Sequence, residues 1–413
     1  MAKKDVLGII VGGGPAPGIN GVISSATIEA VNQGRQVVGI VGGFKRLFDG
    51  DVKCAVPLTI QDVSRLHTQG GSILRTSRDY PEKARERFKV LMSTLKQIGV
   101  RHLVTIGGEG TLFMANWIEK EGRGSINVAH VPKTIDNDIP LPGGVSTFGY
   151  QTARHWGVEI VKNIMEDAKT TGRWYFITTM GRHAGHLALG IGKAAGATIT
   201  LIPEEFQAEK LPLRSIGDVL TGSIIKRLSM GRDHGVAILA EGLTDKLDYE
   251  ELRRYEPCQL DETGRLRLSE ILLGRILKSF VGETLESFGI KMTIVDKNVG
   301  YELRAANPIP FDVEYTRTLG YGAVRFLLRG GTGAMIVLEE GHMRPIPFVE
   351  MMDYSTGRVK VRTVDIQSIN YEVARQYMIR LEREDFEAKA LAPLAKTVHL
   401  KPEEFRQRFE HIL

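Results

Sequence analysis

Short runs of branched apolar residues alternate in the first part of the chain with longer stretches whose apolar positions recur every three or four residues. VLGIIVGGG (6–14) is followed by INGVISSATIEAVNQG (19–34), QVVGIVGG (36–43), a segment ending in KVLMSTLKQIG (89–99), HLVTIGGEG (102–110) and TLFMANWIEKEG (111–122). Such alternation predicts βαβ units whose parallel sheet is covered on both faces, with ligands at the carboxyl ends of the strands. A second set starts near residue 150. TARHWGVEIVKNIMEDAKT (152–170) has helical period, WYFITTM (174–180) is strand-like, HLALGIGKAAG (186–196) is helical, and ATITLIPEEF and GVAILAEGL supply two further strands. A serine-containing helix and the strand MTIVDKNVGYELR (292–304) follow a charged stretch, 245–270, that reads as a surface helix and loop. Residues 370–413 are charged and helical in pattern, so a solvated C-terminal extension is expected. No low-complexity linker separates the halves, and a two-domain body with a cleft is the expectation.

At 413 residues, a prior of roughly 150 residues per domain agrees with two or three domains. No uncharged apolar stretch reaches the roughly 18 residues that a membrane span needs. The basic, apolar start MAKKDVLGIIV runs into glycines where a secretory signal would carry its cleavage site, so it reads as a buried strand. The two cysteines, Cys54 and Cys258, give no disulfide framework and no metal-ligand spacing. A cytoplasmic location is expected. The net charge of +5 comes from scattered Lys and Arg with no basic stretch interleaved with aromatics. That argues against a nucleic-acid partner and for phosphorylated metabolites.

Four constellations fall at predicted strand ends. Gly12-Gly13-Gly14-Pro15-Ala16-Pro17-Gly18 lets phosphate approach the main chain, although it meets neither the dinucleotide nor the P-loop pattern and could serve packing alone. In Gly107-Gly108-Glu109-Gly110-Thr111 a carboxylate stands where phosphates bind. It would repel them without a divalent cation, so Glu109 reads as a Mg²⁺ partner, or else as an acid capping the next helix. Pro132-Lys133-Thr134-Ile135-Asp136-Asn137-Asp138 offers a carboxylate to take a sugar hydroxyl proton beside a lysine that can neutralise a phosphoryl group; a solvated turn is the alternative. Met180-Gly181-Arg182-His183-Ala184-Gly185-His186 brings an arginine able to fork onto phosphate. His183 and His186 lack a third ligand and read as helix-start residues. With Arg173, Glu241 and Arg304, the set suggests a cleft for a phosphorylated, hydroxyl-bearing substrate.

The motifs GGGPAPGIN, IGGEGT, PKTIDNDI and MGRHAGHLAL resemble those of the phosphofructokinase family in order and spacing, over about residues 5–345. The resemblance implies an α/β protein of two Rossmann-like three-layer domains with parallel-rich sheets, the active site in the cleft, and a helical C-terminal extension. On that pattern residues 1–147 with 303–350 bind the donor, 148–302 bind fructose 6-phosphate, and 351–413 form the extension. It further implies glycolytic Mg²⁺-dependent phosphoryl transfer to O1 of fructose 6-phosphate, in a homodimer or homotetramer with sites shared between subunits.

Carried over by motif, Asp136 becomes the base for the sugar 1-hydroxyl, with Thr134 and Asp138 beside it, and Arg182 the stabiliser of the transferring phosphoryl group. Gly13, Arg78, Gly108, Glu109, Gly110, Thr111 and Lys133 make up the donor and metal side. Met180, Gly181, Glu241, Tyr301 and Arg304 match sugar-phosphate contacts, and Arg173 resembles an arginine lent by a neighbouring subunit. Two departures stand out. Glu109 replaces the family's usual aspartate, moving the carboxylate by roughly 1.5 Å. A further sugar-phosphate arginine has no clean counterpart, with Lys291 and Lys297 as candidates.

The family uses ATP or pyrophosphate. In pyrophosphate users the position of Gly110 typically holds an aspartate and that of Lys133 a lysine. Gly110 leaves room for the ATP α-phosphate, and Lys133 by itself does not exclude ATP. ATP is therefore the favoured donor on this reading and pyrophosphate the alternative, which the long-form wording of the chain supports. A weakly active sugar-phosphate-binding regulator, and an NAD or lipid kinase with a similar glycine-acid-glycine turn, are the readings from other classes.

Overall fold

The six residues of VLGIIV are buried without exception, and their position at the centre of a sheet explains why they read as one apolar run rather than as an alternation. In a computed structural model of the protein, which describes residues 5–78, 85–255, 272–353, 355 and 358–413, the strands in chain order are β1 (Val6–Val11), β2 (Gln36–Ile40), β3 (Ala55–Leu58), β4 (Val100–Gly107), β5 (Asn127–Thr134), β6 (Phe148–Gly149), β7 (Trp174–Thr179), β8 (Ile199–Leu201), β9 (Gly235–Ala240), β10 (Ile294–Val299), β11 (Ala334–Glu339) and β12 (His342–Pro347). Much of the predicted loop at 245–270 lies outside the described residues; Tyr249–Tyr255 within it is a helix.

The chain divides into two compact units, 1–153 with 301–362 and 154–300 with 363–413. The first holds an 8-stranded sheet in the order β12-β11-β5-β4-β1-β2-β3, with β6 beside β5. β4, β1 and β2 run parallel to one another, as do β4, β5 and β11, while β3 and β12 are antiparallel edges. Ile10, Leu103 and Val128 enter one core, and Ile9, Val11, Val104 and Ala129 enter another on the opposite face. This period-2 split is what a doubly covered sheet demands.

The second unit carries a 4-stranded parallel sheet in the order β10-β7-β9-β8. Its core includes residues from the tail. Leu391, Leu394, Phe405 and Phe409 are buried in one cluster with Leu220 and Ile224 of the helix Leu213–Ser229. Arg408 and His411 reach the fully buried carboxylate of Asp218 on that helix. The tail is helical, as expected, but it is not solvated, because its apolar stripe completes a core that the short sheet could not close by itself. A second departure is local: GYELR does not prolong its strand. β10 stops at Val299, and Tyr301–Ala305 is a helix.

Candidate active site

In the first unit the glycine turn after β1 is pinned from the side. The Gly13 amide donates to the Ser77 carbonyl (2.9 Å), and the Thr76 hydroxyl donates to the Gly13 carbonyl (2.7 Å). Arg78 is thereby carried alongside the turn. Gly14 is where the charges meet: a Cβ there would stand 2.7 Å from a guanidinium nitrogen of Arg304 and 3.2 Å from one of Arg78. The Lys133 ammonium donates to the Gly14 carbonyl. Glycine at this position thus admits two arginines beside the carbonyl that Lys133 bonds, a role the sequence motif pointed to only through its neighbour Gly13.

Lys133, next to last in β5, is 4% exposed. Burial pushes its ammonium down to about 8; Asp136 and Asp138 oppose that shift, and Arg304 and Arg78 add to it. A buried lysine between arginines and carboxylates, still protonated below about 8, is a site prepared for an anion. Tyr301 is exposed, and the Arg304 guanidinium lies over its ring at 4.7 Å.

The turn after β4 opens the helix Glu109–Gly122. The helix N-cap is Gly108, which has no side chain of its own to bond the free amides. Glu109 is therefore not the cap; it is the first helical residue, half-buried beside a positive dipole end. Gly110 stands in that first turn. Thr111 is fully buried and folds back over Gly107, where any Cβ would lie 2.1 Å from its hydroxyl. Among the described residues no three His, Cys, Asp or Glu side chains cluster as a metal site.

Beyond β5, the Asp136 amide donates to the Thr134 hydroxyl (3.0 Å), and the Thr147 hydroxyl donates to the Thr134 carbonyl (2.9 Å). Asn137 sits in the left-handed region (φ 57) with its Oδ1 accepting from the Thr147 amide (3.0 Å). The turn is therefore built, not solvated. Thr134, Asp136 and Asp138 share it, on the same strand end as Lys133.

In the second unit the ends of β7 and β9 are tied together. The Glu241 amide donates to Thr179 (3.0 Å) and the Gly242 amide to Gly181 (3.2 Å). A Cβ on Gly242 would stand 2.6 Å from the Arg182 carbonyl, and one on Gly300 2.6 Å from Met180. Met180, Gly181, Arg182 and Glu241 are thus one group at the carboxyl edge. Arg182 and His183 are exposed, and His186 opens the helix His186–Ala195. Asp245, which no motif indicated, is near both Arg182 and His183; burial raises its carboxyl, and Arg182, His183 and Lys210 oppose that shift. Arg173 is not brought to this edge. It precedes the first residue of β7, so the strand, about 3.3 Å per residue, separates it from Met180. Lys291 and Lys297 are exposed, Lys297 within β10.

The model of the family described as "Phosphofructokinase" matches residues 6–327. The chain is 53% identical over its whole length, and over 99% of the relative's, to the pyrophosphate–fructose 6-phosphate 1-phosphotransferase of Thermotoga maritima. It is 31% identical to the ATP-dependent 6-phosphofructokinase of Mycobacterium bovis, over 83% of this chain and 93% of that one. In fold it is similar to the pyrophosphate-dependent phosphofructokinase of Nitrosospira multiformis, with a TM-score of 0.68 at 17% identity over 95% of this chain and 92% of that chain. The glycine turn, the acid after it, the TIDND turn and the MGR turn all lie at carboxyl strand ends within the matched residues, and the chain belongs to the phosphofructokinase family.

Proposed function

We propose that the protein transfers a phosphoryl group from pyrophosphate to O1 of fructose 6-phosphate. The observation that carries the donor assignment is the full-length 53% identity to a pyrophosphate-dependent enzyme, against 31% to an ATP-dependent one. The ATP preference drawn from Gly110 alone is not supported, and the pyrophosphate alternative fits better. The physical reason is in the first unit, where Lys133, Arg78 and Arg304 converge on Gly14. Three cations at one turn match the charge density of a compact diphosphate, whatever space Gly110 leaves.

In the transfer, Asp136 accepts the proton of the sugar 1-hydroxyl while O1 forms its bond to phosphorus. The bridging P–O bond breaks, and inorganic phosphate leaves. Thr134 and Asp138 hold the hydroxyl's surroundings, and Arg182 neutralises the transferring group. Met180, Gly181, Glu241 and Tyr301 take the sugar phosphate, and Arg304, which reaches Gly14, is shared between it and the donor. The donor lies against Gly13, Arg78, Gly108, Gly110, Thr111 and Lys133. Glu109 is the protein's carboxylate toward Mg²⁺, and the single acid suits an ion that takes most of its ligands from water and phosphate oxygens. Bound there, Mg²⁺ would neutralise donor charge. Arg173, held at the far end of its own strand, is available to a site of a neighbouring copy, in keeping with a homo-oligomer.

The test is fructose 1,6-bisphosphate formation with Mg²⁺ and either pyrophosphate or ATP in parallel. A kcat/KM at least about tenfold higher with pyrophosphate is expected. ATP preference would restore the argument from Gly110, which is the one feature that favours that second donor.

A further inference from the structure

Arg362 lies beyond residue 327, where the family match ends, and no motif pointed to it. It is the last residue of the first unit, and its hydrogen bonds in that unit converge on the turn that carries Asp136. Its Nε donates to the Asn137 carbonyl (3.0 Å), its Nη1 to the Val145 carbonyl (3.0 Å) and its Nη2 to the Asn137 side-chain oxygen. Its own amide donates to the Asp138 carbonyl (2.7 Å). One arginine therefore closes the loop from 137 to 145 by holding both of its limbs.

The loop needs such a clasp. Asn137 takes a left-handed conformation, which asparagine enters at a smaller cost than other side chains but which its neighbours must still hold in place. It stands between the two carboxylates, so relaxation of its backbone would turn Asp136 and Asp138 together. A guanidinium can reach three acceptors in one plane. A lysine, with one ammonium on a flexible stem, cannot. Burial lowers the Arg362 pKa, and the charge of Asp138 opposes that shift, which ties the two residues electrostatically as well.

We propose that Arg362 is a positioning residue for phosphoryl transfer: by clasping the 137–145 loop it fixes the Asp136 carboxylate in its reactive orientation. This rests on the function proposed above.

The test compares the full-length wild type with Arg362→Lys and Arg362→Ala by melting temperature, by hydrogen exchange of the amides in 134–147, and by kcat and KM with pyrophosphate, fructose 6-phosphate and Mg²⁺. Exchange at Thr147 is expected to rise at least about tenfold in both variants, since its acceptor on Asn137 loses its partner. Turnover is expected to fall about 10²-fold, with both KM values within about threefold, because the loss is one of orientation and not of binding. Guanidinium ion at low millimolar concentration should partly restore kcat to Arg362→Ala and not to Arg362→Lys. The proposal is overturned if Arg362→Lys melts like the wild type with unchanged kcat, if kcat falls while loop exchange stays put, or if the loss lies in KM alone. Should Arg362→Ala not fold, Arg362→Lys carries the same three readouts. A wild type that phosphorylates no fructose 6-phosphate would refute the function reading instead, and the exchange data would still report whether Arg362 holds the loop.

Discussion

The turn after β5 and the turn after β7 both end a parallel strand and both carry residues proposed for phosphoryl transfer, yet they are built differently. The first is buried and heavily bonded: Lys133 is 4% exposed, Asn137 8%, and hydroxyls of Thr134 and Thr147 and the guanidinium of Arg362 occupy its backbone. The second leaves Arg182 exposed and is shaped by close backbone approach at Gly242. The difference fits the tasks proposed for Asp136 and Arg182. A base must hold one oxygen toward one proton, so its turn is fixed in advance. An arginine that neutralises spreading charge can adapt, because its fork offers several donors.

The sharpest break of this comparison is Asp136→Asn, expected to lower kcat by about 10³–10⁴-fold with an unchanged melting temperature, since the proposed general base is lost and Asp138, two residues on, is held in a different position of the turn. Arg182→Ala should cost less, about 10²–10³-fold in kcat, and stopped-flow single turnovers should place the loss in the transfer step. If the two losses were equal, the contrast between a fixed and an adaptable turn would fail.

Lys133→Met comes next, with kcat/KM for pyrophosphate down about 10²-fold and a changed pH response. In the free wild type Lys133 is protonated below about 8, so kcat/KM for pyrophosphate should fall as pH rises through that value, a limb absent from the variant. The sign for stability is opposite. The unfolded chain keeps this lysine protonated up to about 10.4, so between about 8 and that value it binds more protons than the folded state, and folding stability gains with pH there. Denaturant titrations at pH 7.5 and 9.5 of wild type and variant measure it.

The smallest effect is that of Gly14→Ala. A methyl group 2.7 Å from Arg304 must displace a flexible side chain and not backbone. About a tenfold rise in KM for pyrophosphate is expected, with kcat nearly kept. An unchanged KM would mean that the three cations do not need to meet at this turn.

Much of the candidate site was legible because its residues are local. TIDND and GGEGT place acids, hydroxyls and glycines within one turn of each other, and a strand end fixes where that turn lies. The helices Ile19–Asn32, Glu109–Gly122 and Tyr150–Thr171 and the strands between them follow directly from apolar period. What the pattern did not disclose came from contacts distant in sequence. Arg304 and Arg78 reach Gly14 across 290 and 64 positions, and Arg362 reaches Asn137 across 225. The charged tail hid Phe405 and Phe409, whose spacing is that of a buried stripe.

By itself the chain determined the alternation of elements, the two parallel-rich sheets and the chemical type of each turn, because hydrophobic period and turn residues act over a few positions. The tertiary structure decided which side chains share a turn, how deeply Lys133 is buried and therefore how it holds its proton, and which distant arginine bonds the Asn137 turn. Those properties depend on desolvation and on hydrogen bonds that close only when segments far apart in the chain have packed.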